Sequence, residues 1–279
     1  MRELSLFTGA GGGVLGTTLI GFHHVGYVEN NPYCQKILSN RIQDGFLTNA
    51  PIFGDIRTFI SDGYAASYKG MVDVITAGFP CQPYSQIGKH KGEADPRNLW
   101  PETIETIKII RPKQVLLENT KGLITKGYII TIIADLIAAG FTVWPLLQLG
   151  ADSCGARHKR DRIWVYAEYN RWRCCCGVDF DEGCGRYGCP NCHGENNTYS
   201  TGERLERWLY RLEERQAAPF TVSGLVQDTA WLDVSNPRAH GGFNGLADRL
   251  ERTRAIGNGQ VPSVVKAAWD FFTYDPAAD

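Results

Sequence analysis

The amino-acid sequence predicts an α/β protein: a mainly parallel sheet with helices on both faces, plus a small irregular cysteine-rich insert. Three observations predict it. Short apolar runs alternate with helix-length segments over residues 1–168, the pattern of strands joined by helical crossovers. Near Tyr169 that pattern breaks, and cysteine, glycine and aspartate replace periodicity. An apolar helical pattern returns at the end, in "VPSVVKAAWDFF". The expected layout is one domain formed by residues 1–168 and 246–279, interrupted by an insert over 169–245.

Each element follows from local signals. "ELSLF" is a short apolar strand, "TGAGGG" a turn, and a helix begins near Val14. "HVGYVE" is the second strand, ending at Glu29. In "NPYCQKILSNR", Asn31 is the expected N-cap and Pro32 the first helical residue, the position where a missing N–H costs nothing. "MVDVITAG" is a buried strand, "NLWPETIETIKII" a helix, "KQVLLEN" a strand and "YIITIIADLIAAG" a helix stopped by Gly140. "FTVWPLLQL" and "RIWVYAE" read as two further strands.

Composition excludes several function classes. Of the 279 residues, 43% are hydrophobic and 21% charged, an ordinary globular balance. The formal net charge is −1, so any attraction for nucleic acid must come from a local basic surface rather than a global field. Glycines interrupt the apolar N-terminal run, and no segment is long and apolar enough to span a bilayer. The expectation is a soluble, cytoplasmic protein without a membrane partner. Nine cysteines, six of them between Cys174 and Cys192, point to metal binding or catalysis in a reducing compartment rather than to a disulfide scaffold.

Ligands of such sheets sit beyond the carboxyl ends of the strands. Three candidate groups fall there. The glycines of "LFTGAGGGVLG" follow the first strand directly. They suit a nucleotide approaching a helix N-terminus, or a plain β-to-α connection. Glu29, about twenty residues on, reads as a ribose-holding carboxylate or a helix cap, and "GDIR" around Asp55 is a weaker candidate contact. Cys81 stands in the proline-stiffened loop "GFPCQPYS". A thiol there is a candidate nucleophile, whereas Cys34, on an apolar helix face, reads as a small hydrophobe. Glu118 ends its strand as Cys81 follows its own. If those strands are neighbours, thiol and carboxyl converge on one pocket suited to an electron-poor ring. His158, Arg160 and Arg162 alternate into the next strand. They form either a solvated basic edge or a set that orients a substrate.

Taken together and in order, "LFTGAGG", Glu29, "GDI", "GFPCQPYS", "LLENTKG", "HKRDR" and "AIGNGQVP" resemble the successive motifs of the DNA cytosine-5 methyltransferases, especially the small bacterial and phage members. The resemblance spans nearly the whole chain outside the insert. It implies the Rossmann-like fold of S-adenosylmethionine-dependent methyltransferases. Phe7, Gly9 and Gly11 would line S-adenosylmethionine, Glu29 would hold its ribose, and Asp55 with Ile56 would meet its adenine. Pro80 and Asn258 would complete that pocket. Cys81 would be the nucleophile, Glu118 would meet the cytosine N3 edge, and Arg160 and Arg162 would steady the ring and nearby backbone. It further implies transfer of a methyl group to cytosine C5 in double-stranded DNA through a Cys81–C6 bond, with the base extruded. The stretch "SQIGKHKGEADPRN" after Cys81 would close over it. Some positions depart from the usual pattern: Thr120, Arg157, His158, and Gly259-Gln260, where a small residue and Val are more common.

In the insert, Cys189 and Cys192 form a C-x-x-C pair, and Cys174 with Cys176 is the best second pair. The four would hold a structural zinc ion; reduced free thiols are the other reading. The family places target recognition in this region. Arginines such as Arg171, Arg173, Arg204 and Arg207 are candidates for phosphate or guanine contacts. The chain is expected to act as a monomer, and a cognate restriction endonuclease is compatible with the family. Competing readings are a tRNA-directed relative, a DNA-binding zinc module without catalysis, and a thiol hydrolase.

Overall fold

The computed structural model describes residues 1–80, 98–169, 251, 255 and 259–274. Among these, one sheet of eight strands forms the centre. Its strands are β1 (Arg2–Leu6), β2 (His23–Val28), β3 (Ile52–Phe53), β4 (Val74–Ala77), β5 (Gln114–Asn119), β6 (Phe141–Val143), β7 (Leu147–Leu149) and β8 (Arg162–Tyr169). Along the sheet the order is β3-β2-β1-β4-β5-β8-β6, with β7 pairing β8. The pairs from β3 to β5 are all parallel, and β8 runs antiparallel to β5, β6 and β7. The predicted mainly parallel sheet is therefore present, with one reversed strand. The direct neighbour order inverts at β1, between β2 and β4, which is where open α/β sheets offer a binding crevice.

The helices are α1 (Gly12–Thr18), α2 (Pro32–Gln43), α3 (Ile56–Ser61), α4 (Tyr64–Ser67), α5 (Trp100–Ile110), α6 (Gly122–Thr125), α7 (Tyr128–Ala138) and α8 (Pro262–Thr273). Pleating sends alternate strand residues to opposite faces. Val115 and Leu117 of β5, with Ile163, Val165 and Ala167 of β8, pack under α3, α5 and α7 through Phe59, Ile107, Ile132 and Leu136. Leu116, Trp164 and Tyr166 face the other way, onto Val264, Val265, Ala268 and Trp269 of α8. A third cluster joins Val14, Tyr27, Leu38 and Leu47. The two-sided burial explains why these strands read as continuous apolar runs. Helix α7 is anchored by Ile129, Ile132, Ile133 and Leu136, all buried, each contributing about 1.5–3 kcal/mol on burial.

Local signals account for the element boundaries. Asn31 caps α2 as expected, its Oδ1 accepting from the backbone N–H of Tyr33 at 2.9 Å and Cys34 at 3.1 Å, with Pro32 as the first helical residue. Helix α1 starts at Gly12, two residues before the expected Val14. Gly16 lets α1 and α8 approach closely: a Cβ there would lie 2.6 Å from both Pro262 O and Val265 Cβ. The "FTVWPLLQL" segment is two short strands, β6 and β7, separated by Trp144, Pro145 and Leu146. Proline has no N–H to give a ladder, so the single expected strand is divided there. Strand β8 extends through Tyr169, which pairs with Phe141. No helix among the described residues is long and apolar enough to cross a membrane.

Candidate active site

Register aligns the candidate residues along one edge of the sheet. Leu6 of β1 pairs with Val28 of β2 and with Ala77 of β4. Val28 pairs with Phe53 of β3, and Ala77 with Leu117 of β5. The residues just past β1 to β4 therefore lie beside the last residues of β5: Asp55, Glu29, the turn from Phe7 to Gly11 and Gly78 to Pro80 line up with Glu118, the penultimate residue of its strand. Because β8 is reversed, its N-terminal end, with Arg160 and Arg162, arrives at the same edge.

The turn after β1 is tight. Phe7, Gly9 and Gly11 have φ values of 54°, 60° and 92°, left-handed conformations that cost free energy for a side chain such as Phe. Glu29 holds the turn: its Oε2 accepts from Gly9 N–H at 2.7 Å and its Oε1 from Asn31 N–H at 2.8 Å. A carboxylate offers about four acceptor positions, so both oxygens retain capacity for a further donor. A Cβ built on Gly9 meets nothing within 4 Å among the described residues, so none of them crowds the backbone there. Asp55 caps α3 through Arg57 N–H at 2.8 Å. Ile56 is buried in the core, so its side chain supports the edge from below.

Glu118 is 8% exposed. On the pleat it shares the face of Leu116, the one covered by α8. Directly opposite stands Trp164, and the diagonal neighbour Arg162 reaches it, with Nε 2.7 Å from Glu118 Oε1. Gln260, just before α8, brings Nε2 to 3.5 Å from Oε2. Burial raises the Glu118 pKa above the usual carboxylate range, against the opposing pull of Arg162, Arg160 and the amide of Gln260. Burial likewise lowers the pKa of Arg160, with Arg162 adding to the shift and Glu118 opposing it. Arg160 donates from Nη2 to the carbonyl of Gly259. His158 is exposed and does not share the burial of the two arginines.

The chain leaving β4 passes beside Glu118, since a Cβ on Gly78 would lie 3.2 Å from Glu118 Oε2. Asn119, also buried, donates from Nδ2 to Phe79 O at 3.1 Å and accepts from Thr120 N–H at 2.8 Å. It ties the β4 exit to β5. Sequence reasoning quoted Asn119 within a motif without giving it this role. Its signal was a polar amide directly after four buried residues, where only a partner makes burial tolerable. Cys81 and Asn258 lie outside the described residues, as do Cys174, Cys176, Cys189 and Cys192. Among the described residues no cluster of three metal-ligating groups occurs. Cys34 is buried as expected, and its thiol pKa is pushed up to about 11 by burial, then by Glu29 and Glu251.

Comparison with known proteins places this edge in context. The family model for C-5 cytosine-specific DNA methylase matches residues 1–173. The Type II methyltransferase M.NgoMIV of Neisseria gonorrhoeae is 31% identical over 86% of this chain and 74% of its own length. M.PspPI of Psychrobacter sp. is 38% identical over 48% of this chain, but the match spans 32% of that relative. Among solved structures, the S. pombe Dnmt2 methyltransferase aligns with a TM-score of 0.44 and 22% identity, over 61% of this chain and 51% of that one. The matched residues 1–173 run from the glycine turn to the end of the arginine strand, and on that ground the chain belongs to the C-5 cytosine-specific DNA methylase family.

Proposed function

We propose that this chain transfers a methyl group from S-adenosylmethionine to C5 of cytosine in double-stranded DNA, with Cys81 as nucleophile and Glu118 as the acid at N3. The observation that carries the proposal is the buried Glu118 carboxyl, its pKa raised, at the same sheet edge as an open glycine turn. Glu29 with its spare acceptor positions, the uncrowded backbone at Gly9, and the strand-end position of Asp55 fit a nucleoside with ribose hydroxyls. Phe7, Gly11, Ile56, Pro80 and Asn258 would complete its pocket. S-adenosylmethionine, when bound there, supplies an electrophilic methyl group.

Cytosine C5 is too weakly nucleophilic to take that group unaided. The Cys81 thiolate forms a bond to C6, and the ring electrons move toward N3, where Glu118 delivers its proton. Arg162 and Arg160 hold the carboxyl in place and balance the charge left on it. C5 is then an enamine carbon and accepts the methyl group. A base removes the C5 proton, the sulfur departs, the ring is restored, and Glu118 regains its proton from N3. C5 and C6 are out of reach within a duplex, so the base is extruded. The segment "SQIGKHKGEADPRN" is the candidate to close over it, and residues 169–245 are the candidate target-recognition region. A structural zinc at Cys174, Cys176, Cys189 and Cys192 rests on spacing alone.

The test compares labelled methyl transfer into DNA and into tRNA by wild-type and Cys81→Ser protein. Expected are transfer to DNA cytosine by the wild type, none by the variant, and unchanged S-adenosylmethionine binding by calorimetry. Transfer to tRNA alone, or turnover by Cys81→Ser, refutes the proposal.

A further inference from the structure

The residue before Val261 takes no part in the chemistry above, yet it touches both halves of the site. A Cβ added to Gly12 would overlap the Gln260 carbonyl, and one added to Gly13 would overlap its Oε1. A Cβ on Gly78 would lie 2.9 Å from Gln260 Nε2, which itself stands 3.5 Å from Glu118 Oε2. One side chain thus fills the space between the start of α1, the exit of β4 and the carboxyl at the end of β5. Gly13 and Gly78 leave room for this side chain, and Gly12 leaves room for its backbone carbonyl.

We infer that Gln260 is a positioning residue that joins the start of α1 to Glu118 and assigns different tasks to the two carboxyl oxygens. Oε1 faces the permanent cation of Arg162 at 2.7 Å. A proton is disfavoured there and favoured on Oε2. Oε2 has the amide of Gln260 at 3.5 Å, the long limit of a hydrogen bond. Such a partner keeps Oε2 oriented and yields without much cost when the edge of a pyrimidine approaches. The Oε1 of Gln260 rests against the backbone of Gly13, so movement of the first turn of α1 on ligand binding is felt by the amide.

The charged groups facing Glu118 among the described residues are Arg162 and Arg160; the neighbouring Asp161 is paired with Lys121 at 2.7 Å. The amide of Gln260 favours the ionised carboxyl. Gln260→Met keeps the volume and removes that donor, so Glu118 holds its proton to higher pH. Gln260→Glu adds a second acid beside the first and acts in the same direction. The link between Gln260 and Glu118 stands on geometry; its effect on turnover rests on the function proposed above.

The experiment has two arms. In the first, carboxyl-labelled glutamate is followed by NMR through a pH titration without DNA, the Glu118 signal being assigned by its loss in Glu118→Gln. Its midpoint is expected to move up in both Gln260 variants, and an unmoved midpoint overturns the inference. In the second, kcat for methyl transfer is measured against pH. The ratio of Gln260→Met to wild type is expected to rise several-fold from neutral to alkaline pH, and to stay flat between Glu118→Gln and the double variant. A moved NMR midpoint with a flat kcat ratio upholds the link and instead refutes Glu118 as the acid.

Discussion

Replacing Arg162 by Met tests the electrostatics of the site through stability alone. The wild-type pair is close, 2.7 Å from Nε to Oε1, and its side chains are only 20% and 10% exposed. Removing the cation leaves a buried carboxyl with Arg160 and a distant amide. At a pH where Glu118 is ionised, orphaning a buried charge costs about 3–5 kcal/mol. The remaining Arg160 makes that an upper range. When the carboxyl is protonated, the loss falls to that of a single hydrogen bond, about 1 kcal/mol. The sign follows from linkage. Burial raises the folded-state pKa of Glu118 above its unfolded value. Its contribution to stability is therefore complete below the unfolded pKa and is lost as pH rises through the folded one. Arg162→Met moves the folded value further up and extends that loss toward alkaline pH. Urea unfolding of wild type and variant on the acid and the alkaline side of the Glu118 titration should show a difference larger by roughly 2 kcal/mol at the higher pH, read as a midpoint shift at constant m. An equal difference at both pH values would refute the reasoning, because it would mean the pair contributes only packing.

Three further outcomes follow from the geometry. Gly16→Ala drives a Cβ to 2.6 Å from Pro262 O and Val265 Cβ; overpacking of about 1–3 kcal/mol outweighs the helix-propensity gain, and thermal unfolding should occur at lower temperature, whereas an unchanged or raised Tm contradicts the close packing of α1 on α8. Glu29→Gln leaves one of the Gly9 and Asn31 N–H groups facing an amide NH2, at about 1–3 kcal/mol, so S-adenosylmethionine binding measured by calorimetry should weaken; retained affinity would remove Glu29 from the site. Purified protein should carry zinc near one ion per chain, lost together with Cys189→Ser; metal analysis showing none would end the zinc expectation.

Much of this site was legible in the sequence because it is built from strand ends. Glu29 and Glu118 follow apolar runs, and Asn31-Pro32 marks a helix start by local chemistry alone. The parts that stayed hidden depend on packing between distant segments. Strand β3 has two residues and exists through its pairing with β2. The reversal of β8 carries no residue signature of its own. It accompanies the absence of a helix between β7 and β8: the chain over residues 150–161 is a short 3-10 turn and loop, without the helix that usually carries a parallel crossover. That reversal is what delivers Arg160 and Arg162 to the same edge as Glu118. Gln260 was visible as a departure from the family pattern, but its contacts with Gly12, Gly13, Gly78 and Glu118 are separated from it by most of the chain.

Duplex DNA carrying 5-fluorocytosine in place of the target base gives the most direct measurement of the central claim. Fluorine leaves no C5 proton to remove, so the sulfur cannot depart after methyl transfer. Mass spectrometry of the digested complex should find one modified peptide, containing Cys81 and bearing both the nucleotide and an added methyl group. An adduct on another residue, or no adduct from protein that methylates ordinary cytosine, would contradict the account.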